Sequence, residues 1–95
     1  MATIDRLRQR LTTAFAPSRL DIYDESHRHA GHAGSRPGGG THFRVTIVSA
    51  AFTGQSRVGR QRAVYDALAE ELATGVHALS LTALTPVEAA SRGLG

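Results

Sequence analysis

The stretch THFRVTIVS, residues 41–49, decides the fold, because its apolar and polar side chains alternate along its whole length. A period of two residues is typical of a β-strand that buries one face. The apolar face consists of Phe43, Val45 and Ile47, while histidine, arginine and threonine take the opposite face. The pattern therefore predicts a strand that lies on a core.

A second strand is predicted at LDIYD, residues 20–24, which alternates in the same way. A connection of about fifteen residues joins the two strands, and loops of that length are usually functional or disordered. We therefore predict an antiparallel hairpin with a flexible loop at about residues 26–40, mobile from about Ala30 to Gly40.

An amphipathic helix is predicted ahead of this hairpin. Apolar residues recur every three or four positions between residues 4 and 15. Thr3 is the candidate N-cap, and Pro17 cannot continue a helix, so the helix should end at Ala16.

A second helical segment follows Ser56, a candidate N-cap. Gly59 predicts a short helix followed by a longer one, and Gly75 predicts the end of the segment. The period predicts an apolar face made of Val58, Gln61, Tyr65, Leu68, Ala69 and Leu72. The solvent face should carry Arg57, Arg60, Arg62, Asp66, Glu70 and Glu71.

A third strand is predicted at residues 76–84, and a short C-terminal helix should follow it. Thr85 and Glu88 are spaced as a capping box, with Pro86 at the first helical position. The chain is therefore predicted to be one α+β domain over residues 1–95, with a core at about 4–90 and helices on one face of a three-stranded sheet.

Composition limits the chemistry. The 95 residues contain no cysteine, so a metal site must use His, Asp or Glu or take thiolates from a partner. All eleven basic residues are arginine, and the net charge of +3 permits nucleic-acid contact without requiring it. There is no run of 18 apolar residues and no secretory leader pattern, so we expect a cytoplasmic protein without membrane association.

Five histidines are the candidate metal ligands. His27, His29 and His32 lie in the predicted loop, where they can bind zinc together with His42 or belong to a solvated polar loop. His77 is in phase with the leucines of the third strand, which favours a core or capping residue over a ligand.

Arginines mark the start of the second helical segment. Arg57, Arg60 and Arg62 can meet phosphate there, or they can form a solvated helix face. No nucleophile motif or phosphate-binding loop is present, so we expect no enzyme activity.

Four ordered motifs, covering roughly residues 4–90, resemble the BolA family. They are DESHRH at 24–29, THFRV at 41–45, FTG at 52–54 with RQRAVY at 60–65, and VHALSL at 76–81. The resemblance implies a class II KH-like fold, α-β-β-α-α-β, with a mixed sheet. Residues 54–57, GQSR, lack the second glycine of the loop with which KH proteins grip nucleic acid.

The resemblance also implies a function. BolA-like proteins pair with monothiol glutaredoxins and share a [2Fe–2S] cluster with them, to which the glutaredoxin contributes a cysteine and a bound glutathione. Carried over, the ligands of this chain are His77 and His29, with His32, His27 and His42 as alternates. No cofactor is expected in the isolated protein, which should be a monomer or a weak homodimer.

A second role follows from the same resemblance. Some family members are described as DNA-binding transcription regulators of cell shape, biofilm formation and stress response. In this chain the region of Arg57, Arg60 and Arg62 would be the contact surface.

Overall fold

The structure, a computed structural model, describes residues 2–25 and 42–94. Within these residues, four α-helices and three β-strands follow one another in the order α-β-β-α-α-β-α. They are α1 (Thr3–Phe15), β1 (Arg19–Asp24), β2 (His42–Val48), α2 (Arg57–Ala67), α3 (Ala69–Thr74), β3 (Ala78–Leu84) and α4 (Pro86–Ser91), with a 3-10 turn at Ala50–Phe52. Up to β3 this is the class II KH-like order, and α4 is the short C-terminal helix.

The sheet is mixed, with β2 in the centre. β1 pairs with β2 antiparallel, and Ile22 lies opposite Val45. β3 pairs with β2 parallel, and Leu81 lies opposite Val45. The predicted hairpin is confirmed, and the parallel pairing places the first residues of β2 and β3 at the same end of the sheet.

One face of the sheet carries the main core. Side chains of α1 and α2 and the residue after α2 pack there against the alternating apolar residues of the strands. The buried set is Leu7, Leu11, Ile22, Phe43, Val45, Ile47, Phe52, Val64, Leu68 and Val76. The predicted apolar face of residues 41–49 is therefore confirmed, with all three residues buried.

The C-terminal helix packs elsewhere. Val48, Leu84 and Ala89 form a small second cluster, which Leu94 partly covers. α4 begins with the predicted capping box, in which the Thr85 hydroxyl accepts from the Glu88 amide and the Glu88 carboxylate accepts from the Thr85 amide. α4 and its cluster thus occupy the end of the sheet where β2 and β3 finish.

The second helical segment divides into α2 and α3 at a different residue from the one predicted. Ser56 caps it as predicted, since its Oγ accepts from the Gly59 amide at 3.0 Å. The break falls at Leu68 and not at Gly59, so the longer helix comes first. Leu68 is fully buried, and its amide lies between the carbonyls of Val64 and Tyr65. The division therefore follows the packing of Leu68 on the sheet, which local sequence does not reveal.

The buried face of α2 also differs from its prediction. Arg60 and Val64 are buried, whereas Val58 is 58% exposed and Gln61 is exposed. In α3, Glu71 is buried against α1, where its Oε2 accepts from the Arg10 Nε at 3.3 Å. The prediction that Arg60 and Glu71 face solvent is wrong, because each has a charged partner on another element.

Two further boundaries differ from prediction, whereas the predicted end of the first helix at Ala16 is confirmed, since Ala16 is the C-cap of α1. Ala2, and not Thr3, is the N-cap of α1, and no side chain caps that end. α1 ends at Phe15, and Ala16 adopts a left-handed conformation with φ 43° as it donates its amide to the Thr12 carbonyl. β3 starts at Ala78, two residues later than predicted. Within residues 2–25 and 42–94, no helix has the length and apolar character that a bilayer crossing requires.

Candidate functional site

Two histidines meet at the end of the sheet where β2 and β3 begin. His42 is the first residue of β2, and His77 directly precedes β3. Ala78 lies opposite His42 in the parallel register, which brings the two imidazoles together. Their ring centroids are 6.2 Å apart, and the rings cross at 74°.

The two rings differ in exposure. His77 is exposed and His42 is half-buried, whereas the neighbouring Val76 is buried in the core. Of the alternatives that the sequence left open for His77, a core residue is therefore excluded. Its spacing to Leu79 and Leu81 suggested a strand position, but regular strand structure begins only at Ala78.

The spacing of the two rings suits metal ligation. A metal about 2.0–2.1 Å from one nitrogen of each ring separates the two ring centres by roughly 5–6 Å. The observed separation of 6.2 Å is close to that range. Within the part of the chain that the structure describes, no third His, Asp or Glu joins them in a metal-binding group. The sequence contains no cysteine, so this chain supplies no thiolate ligand.

The predicted loop ligands His27, His29 and His32 lie outside the described residues, as does the segment predicted to be mobile. These assignments stay predictions. Of the predicted alternates, His42 is the one that the structure places beside His77. Sequence reasoning identified both as starting a strand, but their proximity depends on β2 and β3 being parallel neighbours.

Two charged residues, Glu25 and Arg44, lie next to His42 on the sheet. The Glu25 amide donates to the His42 carbonyl at 2.8 Å, which extends the β1–β2 ladder by one residue. The Glu25 carboxylate forms an ion pair with Arg44 at 3.3 Å. Arg44 lies two positions after His42 and therefore shares its face of the sheet.

Arg60, a predicted nucleic-acid contact, is 8% exposed. Its Nη1 donates to the Glu88 carboxylate at 2.6 Å and to the Ala83 carbonyl at 3.1 Å, and its Nε donates to the Gln55 carbonyl at 3.0 Å. A guanidinium with these partners joins α2, β3 and α4. Arg60 is therefore placed for a structural role and is not available on the surface.

The Arg60–Glu88 ion pair also changes the pKa of the Glu88 carboxyl group. The hydrogen bond from Arg60, followed by the hydrogen bond from the Thr85 amide, lowers the pKa of Glu88 to about 2. Glu88 therefore stays ionised at any physiological pH, and the ion pair is permanent under those conditions.

Arg57 and Arg62 are exposed on α2, as predicted. Neither forms an ion pair with another described residue. Arg57 lines a depression of about 570 Å³ between α2, β3 and α4, together with Gln61, Val87 and Arg92. Glu88 is the carboxylate in this lining, and Arg60 neutralises it, so the depression is basic.

The fold and the site define a class of small α+β domains with KH-like order and an exposed histidine where the last strand begins. The sequence profile of the BolA-like protein family matches residues 11–88. The chain is 46% identical over 81 residues to the DNA-binding transcriptional regulator BolA of Escherichia coli K12, covering 85% of this chain and 73% of that protein.

Two further comparisons agree. The solved structure of BolA1 from Arabidopsis thaliana superposes with a TM-score of 0.81 at 42% identity, over 93% of this chain and 96% of that one. SufE-like protein 1 of Arabidopsis thaliana is 47% identical over 87 residues, covering 87% of this chain but 24% of that protein. The chain thus belongs to the BolA-like family, and it spans about a quarter of this longer relative.

Proposed function

We propose that this chain is a non-enzymatic partner of a monothiol glutaredoxin and that it co-ligates a [2Fe–2S] cluster through histidines. The observation that carries the proposal is the pairing of His42 with the exposed His77 at one end of the sheet. Membership of the BolA-like family supports it, as does the absence of cysteine, because the thiolates then have to come from the partner.

His77 is proposed as the fixed ligand of this chain. It follows α3 and leads into β3, so its backbone is held by the buried Val76 on one side and by the sheet on the other. The second ligand is His29, with His32, His27 or His42 as the alternate. Of these four, His42 is the one within the described residues, and the centroid of its ring lies 6.2 Å from that of His77.

Histidine ligation has chemical consequences for such a cluster. Two neutral imidazoles in place of two thiolates raise the reduction potential of an iron–sulfur centre, as they do in Rieske proteins. They also hold the iron less tightly than thiolates do. Both properties suit iron–sulfur trafficking or iron and redox regulation, which we propose as the biological role.

The test is assembly of the shared cluster. The chain is mixed with a monothiol glutaredoxin, glutathione, iron and sulfide, and visible circular dichroism is recorded for wild type, His77→Ala, His29→Ala and His42→Ala. We expect His77→Ala to remove the signal of the mixed complex and one of the other two variants to alter it strongly. Arg62→Ala is the control. Arg62 is exposed on α2, which packs on the core face of the sheet, whereas His42 lies on the other face. An unchanged spectrum for all three histidine variants would reject the ligand assignment.

A second candidate function is binding of DNA as a transcriptional regulator of morphology or stress response. The specific observation in its favour is that Arg57 and Arg62 are exposed on α2 beside a basic depression. The Escherichia coli relative is named as a DNA-binding regulator. Arg60 is excluded from this surface by its burial.

The DNA proposal is tested by salt dependence. Each phosphate contact lowers log K with a slope of about 0.9 per unit of log salt, so Arg57→Ala with Arg62→Ala should reduce the slope by roughly two. Equal slopes for wild type and the double variant would remove this surface from consideration.

We propose a cytoplasmic location for either function. We also propose that the isolated chain carries no cluster and is a monomer or weak homodimer. Gel filtration of the purified chain, with and without glutaredoxin, tests the last two proposals. The elution volume reports the oligomeric state, and the colour reports whether a cluster is bound.

A further inference from the structure

The sheet face opposite the main core is covered at one end only. Val48 and Leu84 lie on that face where β2 and β3 finish, and Ala89 of α4 packs on them. At the other end the same face carries Tyr23, Arg44 and Ser80, which are all exposed. No described element covers these three residues.

Tyr23, Arg44 and Ser80 form one row across the sheet. Tyr23 lies opposite Arg44 in the antiparallel register, and Arg44 lies opposite Ser80 in the parallel register. The side chains of registered residues project from the same face. The row, here called the Tyr23–Arg44 row, is therefore a continuous exposed strip on rigid strands.

Tyr23 is unusual among the described side chains. It is 60% exposed, and the other large apolar residues with comparable exposure, Val58 and Val87, lie on helices away from the histidines. Tyrosine and arginine are enriched at protein interfaces and dominate their binding energy. An exposed tyrosine registered with an exposed arginine therefore points to a protein contact.

The row is contiguous with the histidine pair. Arg44 follows His42 by two positions on the same face, a distance of about 7 Å along a strand. Its ion pair with Glu25 has an N–O distance of 3.3 Å, and the Arg44 side chain is 56% exposed. The Glu25 side chain is only 20% exposed, and one Nη of Arg44 engages it. Because a guanidinium has five N–H donors, the exposed Arg44 side chain can donate to a further carboxylate as well.

We propose that the Tyr23–Arg44 row is the docking surface for the glutathione-bearing face of the glutaredoxin, with Arg44 binding the glycine carboxylate of that glutathione. This inference rests on the proposed function. A glutathione whose sulfur ligates a cluster at His77 is an extended tripeptide of about 10 Å, which reaches Arg44. Glutathione has two carboxylates. The one on the γ-glutamyl residue lies beside an ammonium group that compensates its charge, whereas the glycine carboxylate has no such neighbour. Tyr23 packs against the partner beside it.

The experiment measures association of the chain with cluster-free monothiol glutaredoxin by calorimetry, with saturating glutathione and without it. Arg44→Ala is expected to weaken binding about tenfold with glutathione and to have little effect without it. Tyr23→Thr, which keeps strand propensity, is expected to weaken binding about tenfold in both conditions. Arg62→Ala and Val87→Thr are the matched controls and should bind as wild type does.

The outcomes separate the possibilities. Equal loss for Arg44→Ala with and without glutathione assigns its carboxylate to the glutaredoxin itself and overturns the glutathione assignment. Wild-type affinity for both Tyr23→Thr and Arg44→Ala overturns the docking surface, while the shared cluster and the proposed function stand. If the wild-type chain neither binds glutaredoxin nor forms the mixed cluster, the proposed function fails first. Circular dichroism melting of each variant confirms that the fold is intact.

Discussion

The two ends of β3 use charged and polar side chains in opposite ways. At its start, His77 is exposed, and its ring lies beside the ring of His42. At its finish, Arg60 is buried and bonded to Glu88, Ala83 and Gln55, and Thr85 closes a capping box. The ring of His77 is exposed, whereas the guanidinium of Arg60 is buried among hydrogen-bond partners that belong to the fold. Polar residues at the two ends therefore differ in role, and burial distinguishes them.

The arginine end should be the more sensitive to substitution. Arg60→Ala removes four hydrogen bonds of a buried guanidinium and leaves the Ala83 and Gln55 carbonyls without that donor. We expect a loss of about 2–3 kcal/mol in the free energy of unfolding, and a fall in Tm of roughly 10 °C or more. Arg57→Ala is the control, with a change within about 0.5 kcal/mol. Equal stability of the two variants, measured by urea unfolding, would mean that the buried ion pair is not structural.

The capping box should have an intermediate effect. Thr85→Ala removes the hydroxyl that accepts from the Glu88 amide at 3.2 Å, and N-cap losses typically cost about 1 kcal/mol. Ser56→Ala, at the N-cap of α2, should cost a similar amount. Thermal unfolding measures both. A neutral result for Thr85→Ala alone would show that α4 adds nothing to the stability of this end.

The ion pair at the arginine end should also depend on pH. The pKa of Glu88 is lowered from 4.5 to about 2 in the folded chain, so its stabilising effect is full above pH 4.5 and is lost as pH falls towards 2. Glu88→Gln should lower Tm at neutral pH by less than Arg60→Ala does, because Arg60 keeps its two carbonyl acceptors. The difference in Tm between wild type and Glu88→Gln should shrink between pH 4.5 and pH 2. A difference that stays constant over that range would contradict the assigned cause.

Substitution at the histidine end should have the smallest effect on stability. His77→Ala truncates an exposed side chain, so we expect a change within about 0.5 kcal/mol in the free energy of unfolding. The same variant should lose the mixed cluster with glutaredoxin. A large destabilisation by His77→Ala would remove the contrast between the two ends of β3.

The strands of this fold were largely predictable, because the alternation in residues 41–49 and 20–24 is local. The capping box was also predictable, since Thr85, Pro86 and Glu88 are close in sequence. The burial of Arg60 was not predictable, because its partner Glu88 lies 28 positions away and belongs to another helix. An arginine on a helix has the same local signature whether it faces water or a distant carboxylate.

The candidate site was only partly predictable for a related reason. Each histidine was recognised as starting a strand, but the contact between His42 and His77 depends on the parallel register of two strands that are separated by α2 and α3. The break at Leu68 was missed because neither glycine nor proline marks it. Tertiary packing decides both features, and a period count along the chain does not include it.

Parallel pairing of β2 with β3 also determines when, during protein synthesis, His42 and His77 can come together. A parallel neighbour requires a crossover connection, here α2 and α3, before the second strand can join the first. A nascent chain that has left the ribosome only as far as β2 presents His42 without His77. The two imidazoles therefore meet only after β3 has emerged and paired, so chains truncated by premature termination lack the pair.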